Sequence, residues 1–257
     1  MVADIVKCEA AADYGNWVSK RLIYLPGLLA LVFLPLALFS YYFLLITVAF
    51  LCITAYFSYA YYRFSPAGGD IQARIREFVL DRLEWDGKGN ALDIGCGNGA
   101  LAVRLARKYP GATITGIDYW GGKWNYSIRA CERNAEIEGV GNRIKFQQAS
   151  AAALPFEDGH FDAAVSNFVF HAVKDVQNKR DVVKESLRVV KKGGCFAFQD
   201  LFPEKSMYGD IDGLLADIRS WGVQDVRYVN TSNAGFIPAI LKLPFIVGSI
   251  GIICGRK

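Results

Sequence analysis

Ala91-Leu92-Asp93-Ile94-Gly95-Cys96-Gly97-Asn98-Gly99-Ala100-Leu101-Ala102 decides how this chain folds. An apolar run that ends in three alternating glycines and then turns helical reads as a strand, a tight loop and a helix N-terminus. Glycines at 95, 97 and 99 let the backbone turn sharply and let a ligand approach with no Cβ in the way. The helix predicted from Ala100 to Lys108 presents unpaired N–H groups to whatever sits in the loop. To this point any nucleotide-type ligand fits.

Two details narrow the choice. Gly95, Gly97 and Ala100 satisfy the dinucleotide pattern G-x-G-x-x-G/A only loosely. Asp93 lies two positions before the first glycine, and a third glycine falls at 99. A carboxylate beside the loop repels a pyrophosphate but suits a ligand carrying an ammonium or a sulfonium. The segment resembles motif I of the class I S-adenosylmethionine-dependent methyltransferases, whose cofactor carries both cations. The resemblance covers about residues 70–257. It implies S-adenosyl-L-methionine as cofactor, with Asp93, Gly95, Cys96, Gly97, Asn98 and Gly99 lining it. A nicotinamide-dependent reductase is the rival reading of the same loop.

The rest of the composition sets limits. A chain of 257 residues holds one large domain, or one domain and an appendage. Its 53% hydrophobic share and mean hydropathy of +0.20 are high for a purely soluble protein. The net charge of +4 is modest and no Lys/Arg cluster stands out, so no nucleic-acid partner is expected. The six cysteines are scattered without a C-x-x-C pair, which points to reduced thiols facing the cytosol rather than a disulfide frame or zinc site. With two histidines, no His-rich metal centre is expected either.

From the N-terminus, Met1 to Arg21 is short and polar, either an interfacial segment ending near Trp17 or a partly ordered tail. Leu22 to Tyr62 contains no charged residue. Some forty uncharged, mostly apolar residues are about twice what one membrane-spanning helix needs. A signal peptide is a poor alternative to so long a run. A helical hairpin is the preferred reading, one arm from about Pro26 to Leu38 and the other from about Tyr41 to Tyr62. Its rival is a shallow re-entrant helix followed by one true span. Lys20-Arg21 and Arg63 flank the run and favour a hairpin with both ends in the cytoplasm, and Tyr24, Tyr59, Tyr61 and Tyr62 sit where an interfacial belt belongs. The expected division is therefore a membrane anchor over 1–64 and a catalytic domain over 65–257, the latter on the cytoplasmic side of the membrane.

Ser65 to Gly69 reads as a linker, with Asp70 able to cap the next helix. In that helix Ile71, Ile75, Phe78, Val79 and Leu83 recur at helical spacing, with Arg74, Arg76, Asp81 and Arg82 on other faces. Beyond the glycine loop, strands and helices alternate, which implies a parallel sheet covered on both faces. Strands are predicted at Ala112–Asp118, Arg143–Gln148, Phe161–Phe168, Cys195–Asp200, Val223–Asn230 and Ser249–Arg256. Helices are predicted at Trp124–Glu138, Lys179–Val190 and Asp210–Trp221. The last two strands have no soluble-type helix between them. The fold class is thus α/β: a Rossmann-like, seven-stranded, mostly parallel sheet with an antiparallel last strand, preceded by a transmembrane helical hairpin.

Asp118 ends the second strand, where a carboxylate can accept both hydroxyls of a ribose. The resemblance gives it that role and puts Ser150 where the family commonly has an Asp facing the adenine amino group; Tyr119, next in the chain, is either a partner for the adenine or an ordinary core aromatic. The Ala151 N–H falls where adenine N1 would be met. By the same resemblance the backbone at Asn167 and Phe168 meets the methionine part of the cofactor. His171, titrating near neutrality, is the candidate base, with a satisfied loop histidine as its bland counterpart. Asp200 lines the same mouth. Trp120 and Trp124 form an acceptor wall, a bilayer anchor or plain packing. The apolar stretch Phe236–Phe245 is either a membrane-apposed flap or a segment covered by the hairpin. Together these imply methyl transfer to a small, amphiphilic or membrane-derived acceptor, with a lipid bilayer as partner. A membrane-tethered S-adenosylmethionine-binding protein without turnover is the alternative of a different class.

Overall fold

The computed structural model describes residues 11–121 and 126–257. They form two compact units: Gly15–Ile75 with Phe236–Leu241, and Arg76–Gly235 with Lys242–Lys257 and residues 11–14.

In the first unit, α1 (Arg21–Leu36) and α2 (Tyr41–Phe64) form an antiparallel hairpin. The first arm starts five residues before Pro26, so both Pro26 and Pro35 lie inside α1. Phe33 stacks on Phe43 and on Phe50, with ring centroids 6.0 and 5.9 Å apart. The hydroxyls of Thr47 and Thr54 donate to the carbonyls of Phe43 and Phe50, each at 2.8 Å. Between the arms, the N–H groups of Ala37, Leu38, Phe39 and Ser40 donate to carbonyls of Leu34, Pro35 and Leu36, so the turn satisfies its own backbone. At the other end Trp17 packs on Phe64, and Asn16 Nδ2 donates to the Tyr61 carbonyl at 3.0 Å. Residues 15–17 are therefore built into the hairpin base, while residues 1–10 lie outside the described residues.

The predicted linker is a tight turn. A Cβ at Gly68 would fall 1.8 Å from the Tyr62 carbonyl oxygen, so only glycine fits where the chain doubles back. Asp70 Oδ1 then accepts from Ala73 N–H at 3.3 Å and caps α3 (Ile71–Leu80) as expected. Phe236–Leu241 packs in this unit too. Tyr56 Oη donates to the Ile240 carbonyl at 3.1 Å, and the Arg74 guanidinium sits 4.7 Å from the Phe236 ring centroid.

The second unit is a seven-stranded sheet. In chain order its elements are β1 (Gly89–Ile94), α4 (Ala100–Lys108), β2 (Ala112–Asp118), α5 (Ile128–Ile137), β3 (Ile144–Gln148), β4 (Phe161–Asn167), α6 (Lys179–Arg188), β5 (Val190–Asp200), α7 (Lys205–Tyr208), α8 (Ile211–Ser220), β6 (Asp225–Asn230) and β7 (Gly251–Arg256). The strand order is β3-β2-β1-β4-β5-β7-β6. The first five strands run parallel, and β7 is antiparallel to both β5 and β6. This is the predicted sheet.

Some boundaries differ. The helix predicted from Trp124 begins at Ile128, capped by the Ser127 hydroxyl, and Trp124 lies outside the described residues. The helix predicted to run to Val190 stops at Arg188, and β5 takes over at Val190, five residues before its predicted start. β6 starts at Asp225 instead of Val223, and β7 at Gly251 instead of Ser249.

Both faces of the central strands are buried, as parallel strands under helices require. On one face Leu92, Ile94, Ala164, Phe196 and Phe198 pack with Phe170, Phe202 and Tyr208. On the other, Ala91, Ala163, Val165 and Cys195 pack with Leu101, Leu105, Cys131 and Val79. Each fully buried large side chain contributes about 1.5–3 kcal/mol over its exposed state. In register, Ile94 lies beside both Ile117 and Ser166, so β1, β2 and β4 end together. The strand order reverses on either side of β1, which opens a crevice at this carboxyl edge.

Candidate functional site

The crevice is built from the loop that follows β1. Gly95, Gly97 and Gly99 have φ of 73°, 58° and 81°, all left-handed. The N–H groups of Gly95 and Cys96 both donate to the Ile117 carbonyl at 2.8 Å, tying the loop to the end of β2. Gly97 N–H donates to Asp118 Oδ2 at 2.9 Å, and Trp120 N–H donates to Asp118 Oδ1 at 2.9 Å. Each carboxylate oxygen keeps a further lone pair for a ligand. The Trp120 indole closes the ring by donating to the Gly97 carbonyl at 2.8 Å. Of the three readings left open for Trp120, the structure gives it the packing role: it braces the loop.

Cys96 is buried beneath the loop, and Cys131 Sγ donates to the Gly97 carbonyl at 3.0 Å from α5. Burial, and the neighbouring Cys131, push the Cys96 thiol well up, which leaves it a filler rather than a nucleophile. Asn98 Oδ1 accepts from Ser127 N–H at 3.3 Å, and its carbonyl accepts from Asn134 Nδ2 at 3.0 Å. The Tyr126 ring lies against Gly97, 3.4 Å from where a Cβ would be.

Asp93 is 1% exposed and its Oδ2 has no hydrogen-bond partner. Burial pushes its carboxyl up to about 7; the Ala102 N–H and the Arg76 charge pull it down, while Asp118 pushes it further up. Arg76, placed by the sequence off the apolar face of its helix, is itself buried, at 6% exposed, and its charge reaches Asp93. A buried anion with an unused oxygen, and a buried cation within electrostatic reach, match the ammonium and carboxylate of an amino-acid ligand. The donor set thus fits S-adenosylmethionine, the cofactor implied by the sequence.

Around the crevice the other expected residues fall as follows. Tyr119 is exposed, and its carbonyl accepts from Gln148 Nε2 at 2.7 Å. Ser150 Oγ accepts from Ala152 N–H at 3.2 Å and stands 3.5 Å from Asp175 Oδ2; Ala151 beside it is buried. Asp175, a carboxylate the sequence reading missed, belongs to the loop after β4. Phe168 has a left-handed φ of 63°, a strained conformation for a non-glycine residue. Asn167 Oδ1 accepts from Gln199 Nε2 at 2.7 Å, and Gln199 Oε1 accepts from the Thr231 hydroxyl at 3.1 Å. That chain of amides was also missed, and it turns the Asn167 amino group away from Gln199.

His171 and Asp200 are brought together. His171 Nδ1 and Asp200 Oδ1 are 2.8 Å apart, with the imidazole side chain 27% exposed and the carboxylate fully buried. Asp200 also accepts from the N–H groups of Phe170 at 2.8 Å, His171 at 3.4 Å and Leu201 at 2.7 Å. A carboxylate offers only acceptors, so Nδ1 carries a proton in this contact and Nε2 is the ring nitrogen left to face the crevice. The aromatic core fixes this arrangement. Phe170 packs edge-on to Phe198 at 5.4 Å and against Phe202 at 6.5 Å, which anchors the turn that presents His171. Burial, and the Asp200 charge beside it, push the Tyr208 hydroxyl far up, so it stays neutral.

Comparison with known proteins points to the same fold. Residues 92–198 match the methyltransferase domain family. The ubiquinone/menaquinone biosynthesis C-methyltransferase UbiE of Desulfotalea psychrophila is 31% identical over 135 residues, 52% of this chain and 50% of that protein. Methyltransferase GfsG of Streptomyces halstedii is 27% identical over 179 residues, 70% of this chain and 58% of that protein. The chain spans about half the length of the curated relatives it matches. Among solved structures, geranyl diphosphate C-methyltransferase from Streptomyces coelicolor A3(2) superposes with a TM-score of 0.54 at 17% identity, over 72% of this chain and 79% of that one. That likeness carries the fold.

Proposed function

We propose, from the match of residues 92–198 to the methyltransferase domain family, that the chain transfers a methyl group from S-adenosyl-L-methionine to a small amphiphilic acceptor drawn from a lipid bilayer. When bound, the cofactor supplies an electrophilic methyl group on a sulfonium and its own leaving group. The protein's work is to align, exclude water and move a proton.

Asp118 accepts the ribose hydroxyls with the lone pairs its backbone bonds leave over. Asp93 faces the ammonium, and the glycine loop with the first turn of α4 cradles the rest of the methionine part, beside Asn167 and Phe168. Tyr119, Ser150 and Ala151 flank the adenine. His171 takes a proton from the acceptor at Nε2, and Asp200 holds the ring and stabilises the imidazolium that forms. The single observation that carries this reading is the His171–Asp200 pair at 2.8 Å on the same sheet edge as the Asp118-braced loop.

Two further observations favour an acceptor delivered by the bilayer. α2 is long and apolar enough to cross a membrane, and 11% of its most apolar window is buried, far less than a core helix of a soluble protein would have. UbiE, the relative at 31% identity, is named for quinone biosynthesis, a lipid-soluble acceptor class. The test incubates the full chain with methyl-labelled cofactor and total membrane lipids. Label in the organic phase is the expected result. Label confined to water-soluble material counts against a membrane-derived acceptor. Cofactor binding with no product from any acceptor leaves only the binding protein without turnover.

A further inference from the structure

We propose that the α1–α2 hairpin crosses the bilayer completely and returns, its tip in the far headgroup layer and both its ends on one side; this rests on the membrane reading above. The rival is a wedge whose tip stops within the hydrocarbon.

Two bands of tyrosine mark the ends of the hairpin. Tyr41 and Tyr42, both exposed, sit side by side at the tip with centroids 4.1 Å apart and rings tilted by 32°. Tyr24, Tyr59 and Tyr62 are exposed at the base. Tyrosine collects where one end of the ring is apolar and the other is wet. From Tyr41 to Tyr59 the helix rises about 27 Å, close to the roughly 30 Å of a bilayer's hydrocarbon core. α1 alone is short for a span, but its turn prolongs it through Leu38 and Phe39, which are 89% and 84% exposed.

The distribution of polar groups agrees. Within the arms, Thr47 and Thr54 spend their hydroxyls on carbonyls one turn back, and the turn's amides at 37–40 are bonded internally. Between the two bands the hydroxyls of Thr47, Thr54 and Tyr56 are bonded within the protein, as a hydrocarbon-embedded segment demands. The tip is different: it gathers the hydroxyls of Ser40, Tyr41 and Tyr42, which a headgroup layer hydrates and hydrocarbon does not. Charge is found at the base alone. Lys20 Nζ lies 5.8 Å from the Tyr61 ring and the Arg63 guanidinium 5.9 Å from the Tyr59 ring, cations on the rim of the lower band. Cations confined to one end keep that end in the cytoplasm.

The test uses the full chain in sealed membrane vesicles, with Cys8 and Cys52 replaced by Ala and a single new thiol at Ser19→Cys or Ser40→Cys. A membrane-impermeant maleimide is added from either side, and protease digestion of the C-terminal unit reports which side is which. S19C should label from the side on which that unit is digested, and S40C only from the opposite side. S40C labelling from the S19C side, or only after detergent, overturns the full crossing. Extraction of the chain by alkaline carbonate overturns the membrane reading itself. Neither readout depends on methyl transfer.

Discussion

Asp93 is a carboxylate held out of water beside the glycine loop, and its chemistry can be read through pH. Its carboxyl sits at about 7 in the folded chain against an ordinary 3.8, because burial penalises the ionised form. Between those values the native state holds a proton that the unfolded state has lost. Stability from this group therefore falls as pH rises from about 4 to about 7. Asp93→Asn is expected to raise the melting temperature at pH 8 and leave it unchanged at pH 4. The same variant should bind S-adenosylmethionine roughly 10- to 100-fold more weakly, the worth of one charged hydrogen bond. Calorimetry at pH 6.5 in two buffers of different ionisation heat should register a proton leaving the parent on binding and none leaving the variant. His171 and Asp200 make a separate prediction. His171→Gln and Asp200→Asn should each lower kcat by about 10²–10⁴ while cofactor affinity stays unchanged. Unchanged kcat in either variant assigns the base elsewhere.

The loop after β1 and the turn after β4 interlock, and a steric experiment measures how tightly. A Cβ on Gly95 would lie 2.1 Å from Val169 Cγ2, and the Gly95 φ of +73° is itself costly for any other residue. Gly95→Ala should therefore destabilise the chain by about 1–3 kcal/mol in urea unfolding. Adding Val169→Ala should recover part of the loss, because the clash goes but the backbone strain remains. Equal stability of Gly95→Ala and the parent would show that the two loops are free of one another. Elements differ in how plainly the sequence announces them. β1 and β4 are buried on both faces along most of their length, so each reads as an apolar run bounded by turn residues, whereas β2 alternates buried residues with threonines. β5 was found only from Cys195, because its opening Lys191-Lys192-Gly193-Gly194 is polar and flexible in composition yet is held as strand. Helical periodicity set Arg76 apart from the apolar face of α3, yet the side chain is buried and its charge reaches Asp93, seventeen residues away, which no period reveals. Asp175, Gln199 and Thr231 were missed for the same reason. Each is a lone polar residue whose meaning comes from a neighbour distant in sequence, whereas the glycine loop, Asp118, His171 and Asp200 lie at strand ends that the pattern itself locates.

At the scale of the chain, one segment of the catalytic half of the sequence folds with the hairpin. Phe236–Leu241, between β6 and β7, belongs to the same compact unit as α1 and α2, and Tyr56 reaches the Ile240 carbonyl across a separation that leaves no trace in composition. The sequence left that stretch as either flap or covered segment because apolar residues and prolines describe both. If the hairpin holds the chain in a bilayer and the acceptor lives there too, the kinetics will show it. For an acceptor dissolved in vesicles, an anchored enzyme samples a two-dimensional phase. Its rate should then follow the mole fraction of acceptor in the lipid and not the acceptor concentration in the whole volume. Diluting acceptor with inert phospholipid at constant bulk acceptor should lower the rate in proportion, and adding water at constant mole fraction should leave turnover per enzyme unchanged. An enzyme that takes its acceptor from solution gives the opposite pair of results. Measured with methyl-labelled cofactor at saturation, the two dilutions separate these cases without knowledge of which lipid-soluble compound is the natural acceptor, since any amphiphile that is turned over serves as the probe.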